Sequence, residues 1–357
     1  MGLLLEWCID FGKRFPWGAS IHDKTMRATI REVAERAGVA PCTVSRVLNG
    51  HDAEHMRPET KERVLDSIRE LDYTPVRAAQ RLRRQRTHAL GILVPDITNL
   101  YFALLTRGVE SVAFERGFTS LICDSSHDPR REARYLEMLL AEDVEGVLLV
   151  PTGRGDASAL KRLVARGVRV MLMDRRIVGF PVVEADNRGA SRALGEHLLG
   201  LGYERMVYIS GPAEVSTAED RLCGFRDAVR SEGGDLAGVR RGAFTFESGF
   251  DAAREILRHD KADAIVAAND LMAFGVLRAV EEEGLSVPRD IGVAGFDHVP
   301  HVPYATFLRP ELTTVDVPVH EMGRQAARRL LDGKADSLQL ATTLIPGGTC
   351  IARRRGK

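Results

Sequence analysis

Five arginines, Arg77, Arg81, Arg83, Arg84 and Arg86, fall between Tyr73 and Asp96 in a stretch that holds no acidic residue. Guanidinium groups concentrated in this way suit the phosphate backbone of a nucleic acid. The chain as a whole carries no such signal, because its 50 basic residues balance 50 acidic ones over 357 positions. The basic character is therefore local. Catalytic chemistry is not indicated. The chain has no G-x-S-x-G, no H-E-x-x-H and no phosphate-binding G-x-x-x-x-G-K-[ST]. The first long apolar run leads into VPDITN rather than G-x-G-x-x-G, which disfavours a dinucleotide fold. Asp124, His127 and Asp128 stand close together, but at an expected strand-to-helix turn, where capping is the expected role. Cys8, Cys42, Cys123, Cys223 and Cys350 show no C-x-x-C spacing, so neither a zinc site nor a disulfide framework follows. Reduced thiols fit a cytoplasmic protein. No catalytic residue, metal site or cofactor is expected.

The stretch ahead of the arginines, Thr29 to Asn49, reads as two short helices joined by a tight turn. Val33, Ala34 and Ala37 share one helical face; Val44, Val47 and Leu48 share another. Thr29 followed three residues on by Glu32 is a capping box that starts the first helix. Gly38 ends it, because glycine enters the left-handed region without penalty. Pro41 suits the first turn of the second helix, where its missing N–H costs nothing. Two helices this short need a third behind them, which residues 58–71 supply through Val64, Leu65, Ile68 and Leu71. Asp72-Tyr73-Thr74-Pro75 stops that helix. The product is a helix-turn-helix whose second helix can enter a DNA major groove.

From Ala89 the pattern alternates buried-strand runs with amphipathic stretches. Strands are expected at 89–96, 119–126, 146–151, 169–176, 205–211, 264–270 and 291–297, with helices between and after them. Alternation of this kind predicts parallel sheets covered on both faces. The repeats exceed one small sheet, so two similar lobes are expected, roughly 89–187 and 188–313, with the C-terminal segment crossing back. The hydrophobic share of 44% supports a sizeable core. No apolar run approaches the roughly 18 residues needed to span a bilayer, and the start of the chain lacks a basic region ahead of its apolar patch. Neither a membrane span nor a signal peptide is expected.

The run TVSRVLNG, then PETKERVLDSIRELDYTPVRAAQRLRRQRTHALGILVPD, resembles the lactose-repressor (LacI/GalR) family of bacterial transcription regulators. The resemblance extends from about Thr29 to near Ile351. It implies an N-terminal all-α helix-turn-helix domain plus hinge helix, followed by a two-lobed α/β domain of periplasmic-binding-protein type with parallel sheets. The implied domains are 26–74 for DNA binding, 75–88 for the hinge and 89–357 for effector binding and dimerisation. Residues 1–25 match nothing in the family. They are expected to be a disordered arm, or to precede a natural start at Met26.

The resemblance also implies site residues. On the recognition helix Pro41, Cys42 and Arg46 match base-reading positions, and an arginine can give guanine a bidentate contact. A phosphate contact is the other reading of Arg46. Thr43 and Ser45 can donate hydroxyls to phosphate or base, Thr29 can reach a phosphate through the helix N-terminus, and Asn49 caps or contacts the backbone. Ala40 stands where the family usually has serine, a lost N-cap costing on the order of 1 kcal/mol. Cys42 is a weak hydrogen-bond partner, which suits apolar contact. In the hinge, Leu82 matches the leucine that wedges into the minor groove. Ala79 is small where two hinges approach, and Arg77, Gln80 and Arg81 reach the backbone or groove. Too short to persist alone in water, the hinge is expected to order when paired with a second copy on DNA.

In the inter-lobe cleft the implied effector residues are Tyr101, Phe102, Thr217, Arg221, Phe244, Asn269 and Asp297. Ligands of such sheets lie at the carboxyl ends of strands. The aromatic residues would wall the cleft, and Arg221 with Asp297 would serve vicinal hydroxyls. Phe244 and Asp297 have core and turn readings, and Asn269 a helix-capping one. Leu100 departs from the commoner proline, and His298 from the usual acid. Val215 stands where purine-responsive relatives carry a basic residue. The expected effector is a sugar or sugar derivative first, a small acid second. The expected protein is a cytoplasmic, homodimeric, sequence-specific regulator, in all a repressor of a near-palindromic operator. A periplasmic ligand receptor would explain 89–351 but not the helix-turn-helix or the basic hinge.

Overall fold

The computed structural model describes residues 28–48, 56–73, 87–153, 157–299 and 310–353. The expectations for residues 1–25, for Asn49 and for Arg77, Ala79, Gln80, Arg81 and Leu82 lie outside the described residues. The chain divides into two compact units at Arg86/Thr87.

The first unit contains α1 (Ile30–Ala37), α2 (Pro41–Leu48) and α3 (Pro58–Glu70). The capping box forms as expected: Thr29 Oγ1 accepts from the Glu32 amide, and Glu32 Oε2 accepts from the Thr29 amide at 2.6 Å. Gly38 closes α1 at φ +64°. Val33, Ala34, Ala37, Val44, Val47 and Val64 form the core, ringed by half-buried Ile30, Leu48, Ile68 and Leu71. One expected core residue faces outward. Leu65 is 40% exposed, and Ser67 is buried instead, its hydroxyl donating to the Arg63 carbonyl. Positions 64, 67/68 and 71 complete one helical stripe, and 65 lies about 100° away from 64. Arg36 on α1 meets Glu70 on α3 at 2.6 Å.

The second unit has two lobes. The first holds β1 (Ala89–Val94), β2 (Thr119–Asp124), β3 (Gly146–Leu149), β4 (Arg169–Met173), β5 (Val182–Ala185) and β11 (Leu338–Leu340), in order β11-β5-β4-β3-β1-β2 and parallel throughout. Its helices are α4 (Leu100–Glu115), α5 (Pro129–Ala141), α6 (Ala157–Ala165) and α11 (Val319–Leu331). The second lobe holds β6 (Arg205–Ser210), β7 (Asp235–Arg241), β8 (Ala264–Ala267) and β9 (Gly292–Ala294), in order β7-β6-β8-β9 and again parallel. Its helices are α7 (Asn187–Gly200), α8 (Ser216–Ser231), α9 (Phe246–His259) and α10 (Asp270–Glu282). β10 (Thr314–Asp316) and β12 (Thr343–Ile345) pair antiparallel beside β9. β1, β3, β5 and β8 are buried along their whole length, as strands covered on both faces must be.

The chain crosses between lobes after β5, before α11 and before β12, so the C-terminal segment does return to the first lobe. The return is a close one. A Cβ at Gly108 on α4 would collide with the His320 carbonyl of α11, and one at Gly323 with the Leu105 carbonyl of α4. β5, β7, β10, β11 and β12 were not among the expected strands. All are short, or half-buried at a sheet edge, with no long apolar run. Among the described residues no helix is long and apolar enough to cross a membrane.

Candidate functional site

The cleft between the lobes is built from the carboxyl ends of strands and the helices that follow them. After β1, Asn99 caps α4 by accepting from the Tyr101 amide at 3.0 Å, which sets Tyr101 and Phe102 on the first turn. After β8, Asn269 caps α10 through the Met272 amide at 3.0 Å, and its Nδ2 donates to the Phe244 carbonyl at 3.2 Å. Asn269 therefore has the capping role and a cleft position together. Phe244 follows β7 at φ +61°, its ring laid against the backbone of Gly211. Asp297 follows β9 at φ +112° and Asp174 follows β4 at φ +64°. Left-handed conformations at non-glycine residues cost energy and gather at functional sites.

These ends enclose a cavity of about 1030 Å³. All seven residues expected for the effector, Tyr101, Phe102, Thr217, Arg221, Phe244, Asn269 and Asp297, line it. Asp270, which shares the AAND strand end with Asn269, lines it too, and so do Asp174, Arg175 and His127, which sequence reasoning did not place there. Asp174 and Arg175 had a usable signal: they end RVMLMDRR as Asp297 ends IGVAGFD.

Two buried arginines face the cavity, one from each lobe, and each has an aspartate and an aromatic ring. Arg221 lies over the Phe296 ring at 3.9 Å, donates from Nε to Asn187 Oδ1 at 2.8 Å and from Nη1 to the Ala268 carbonyl at 2.7 Å. Its Nη1 also stands 2.9 Å from Asp297 Oδ1. Arg175 lies 5.5 Å from the Phe102 ring centre and donates from Nη1 to the Pro151 carbonyl at 3.0 Å. Its Nε is 3.5 Å from Asp174 Oδ2. Asp174 Oδ1 accepts from the Tyr101 hydroxyl at 2.7 Å. Arg175 Nε is buried without a directed hydrogen bond, while Asp297 Oδ1 is held by Arg221.

Burial pushes the Asp297 carboxyl up to about 6, against the pull of Arg221. Burial, then the Asp297 charge, raises Asp270 well above the usual carboxylate range, although the Thr314 hydroxyl and His298 amide both donate to it. The Tyr101 hydroxyl is raised strongly, first by burial and then by Asp174 and Asp297. Burial lowers Arg175, with Asp174 opposing. The cavity thus pairs each buried arginine with an aspartate, which suits a ligand without net charge.

In the first unit, α2 presents Pro41, Cys42 and Arg46 to solvent, with Thr43 and Ser45 half-buried between them. Thr29 is exposed at the start of α1 and its hydroxyl serves the cap. Among the described residues no cluster of histidine, cysteine or carboxylate side chains could hold a metal ion. Asp128 caps α5 by accepting from the Arg130 amide at 2.8 Å, and Asp124 accepts from the Ile97 and Ser126 amides.

A helix-turn-helix unit, followed in the chain by a two-lobed domain with a cleft at its strand ends, defines a ligand-responsive DNA-binding protein. Comparison with known proteins gives the family. Residues 87–350 match the model for periplasmic binding proteins and the sugar-binding domain of the LacI family, and residues 29–76 match that for bacterial regulatory proteins of the lacI family. The ribose operon repressor of Halalkalibacterium halodurans is 33% identical over 85% of this chain and 89% of its own. The ribose operon repressor of Escherichia coli K12 is 34% identical over 84% and 91%. The lac repressor dimer, solved bound to operator and the anti-inducer ONPF, superposes with a TM-score of 0.82 at 27% identity, covering 91% of this chain and 99% of that one. A LacI family regulator from Enterococcus faecium, solved with bound ribose, has a TM-score of 0.68 at 25% identity, covering 74% and 100%. The chain belongs to the LacI family of bacterial transcriptional regulators.

Proposed function

We propose that this protein is a cytoplasmic repressor that binds a near-palindromic operator as a homodimer and is controlled by a neutral monosaccharide of the ribose class. The observation that carries the ligand reading is the two buried arginine–aspartate pairs on the cavity, Arg175 with Asp174 and Arg221 with Asp297. Each pair supplies guanidinium donors and carboxylate acceptors, and the two come from opposite lobes. A sugar's hydroxyls can accept from a guanidinium and donate to a carboxylate. A small acid is the weaker reading, because Arg175 and Arg221 already face Asp174 and Asp297. The names of the repressors to which the chain is similar support ribose in particular.

On DNA, Arg46 and its neighbours on α2 would read a half-site, with Arg77, Ala79, Gln80 and Leu82 acting in the minor groove as a paired hinge. Dimerisation is supported by the lac repressor, which was solved as a dimer. Residues 26–74, 75–88 and 89–357 are the DNA-binding, hinge and effector domains of this reading, with 1–25 an extension. The protein acts by binding, without catalysis or a cofactor. The effector shifts the lobe arrangement only by its differential affinity for the two states.

Calorimetric titration of the full chain tests this with D-ribose, D-glucose and a small sugar acid. Saturable ribose binding that alters operator affinity is expected. Binding of the acid alone would replace the neutral-sugar reading.

A further inference from the structure

Arg176, the residue after Arg175, points away from the cavity and joins the lobes. Its amide donates to Ser216 Oγ at 3.0 Å, and its Nη2 donates to Asp220 Oδ2 at 2.5 Å. Both acceptors lie on α8 of the second lobe. Its Nη1 donates to Glu184 Oε2 at 2.8 Å, on β5 of the first lobe, just before the chain crosses over. Three residues of this interlobe latch are immediate neighbours of cavity residues: Arg176 of Arg175, Ser216 of Thr217 and Asp220 of Arg221. Ser216 and Asp220 are four apart on α8, as are Thr217 and Arg221, so one helix turns two adjacent faces to two tasks.

We infer that Arg176 is a positioning residue for the effector cavity: its bridge from Glu184 to Ser216 and Asp220 sets the separation between the Asp174–Arg175 segment and the Thr217–Arg221 face. The inference rests on the reading of the cavity as a sugar site. Its physical basis is the cost of assembling a two-sided site. If both sides must be in place to bind, affinity is reduced by the fraction of molecules in which they are not. A bond that holds the sides together without ligand raises that fraction. Asp220 and Glu184 are mostly shielded from solvent, while Arg176 is about two-fifths exposed. The bridge is therefore partly protected from solvent screening and still accessible enough to break.

The test is a double-mutant cycle, Arg176→Gln and Asp220→Asn, on the full chain. Ribose affinity is measured by calorimetry, and hydrogen exchange of the Arg176 amide is measured without ligand. Asp220→Asn should weaken ribose binding about fivefold, the upper range for a partly exposed ion pair. The double variant should be no weaker than Arg176→Gln alone, and the amide should exchange faster in Asp220→Asn. Losses that simply add, or an amide that exchanges at the parental rate, overturn the inference; a residue that only stabilised the fold would show no coupling in ribose affinity. If the parent itself does not bind ribose, the sugar reading fails separately. The exchange rate then decides the latch, faster exchange in Asp220→Asn supporting it and parental exchange overturning it.

Discussion

Arg221 Nη1 stands 2.9 Å from Asp297 Oδ1 and also donates to the Ala268 carbonyl at 2.7 Å. A terminal guanidinium nitrogen carries two hydrogens, so one nitrogen can serve both oxygens. Arg221 is pinned by Asn187, Ala268 and the Phe296 ring, so the Asp297 carboxylate beside it on the cavity wall has a fixed cation to hold it. Orientation of this kind is what a ligand acceptor needs before a ligand arrives.

Arg221→Ala should abolish the response to effector while operator binding persists. It also leaves Asp297 buried without its cation, a loss of about 3–5 kcal/mol in comparable buried pairs. Operator affinity with and without ribose, measured at a temperature where the variant is folded, checks this. A normal ribose response would remove Arg221 from the site.

Asp297, held near 6, makes effector binding depend on pH. The folded carboxyl titrates above its unfolded range, so it holds its proton more tightly in the native state. Its contribution to stability is full at low pH and falls as pH rises from about 4 to about 6. Ribose affinity should move the opposite way, because the ionised oxygen is the acceptor, and should weaken as pH falls below about 6. Titrations from pH 5 to 8 read this directly. Asp297→Asn should bind weakly and flatten the profile; an unchanged slope would assign it to another group.

Gly323→Ala should destabilise the second unit. The added Cβ runs into the Leu105 carbonyl of α4, which is backbone and cannot rotate away. Overpacking of this kind costs about 1–3 kcal/mol. Thermal unfolding of the variant checks it. Gly333→Ala meets no atom within 4 Å but must hold φ +72°, so its smaller loss would come from backbone strain alone.

The alternation of apolar runs and amphipathic stretches was enough to read the parallel two-lobed architecture, because strands buried on both faces leave uninterrupted hydrophobic signals. It could not reveal β7 or β5. The first is a half-buried edge strand, and the second is four residues long with Glu184 inside it. The seven cavity residues were read through family resemblance and strand-end position together. Asp174 and Arg175 ended a recognised strand, but their partners Tyr101 and Phe102 are about seventy residues away, and no local pattern marks that meeting. Leu65 was misplaced because an apolar residue next to a helical stripe looks like part of it. Ser67, which fills the stripe, is polar and satisfies its hydroxyl within its own helix.

Arg46→Ala should relax base preference at one position in each half-site. The side chain is exposed on α2, between Ser45 and buried Val47, and the helix is fixed to the core by Val44 and Val47. Truncation there leaves packing intact, so any effect is an effect on DNA. A bidentate contact to guanine is worth about 1–3 kcal/mol of discrimination, or roughly five- to two-hundredfold at that base pair. A phosphate contact would instead weaken all sequences alike and lower the salt dependence of binding by about one ion. Selection from random duplexes at one fixed salt concentration, repeated with the variant, separates the two. Loss of a single conserved base pair per half-site assigns Arg46 to readout, and an unchanged profile with uniformly weaker binding assigns it to the backbone.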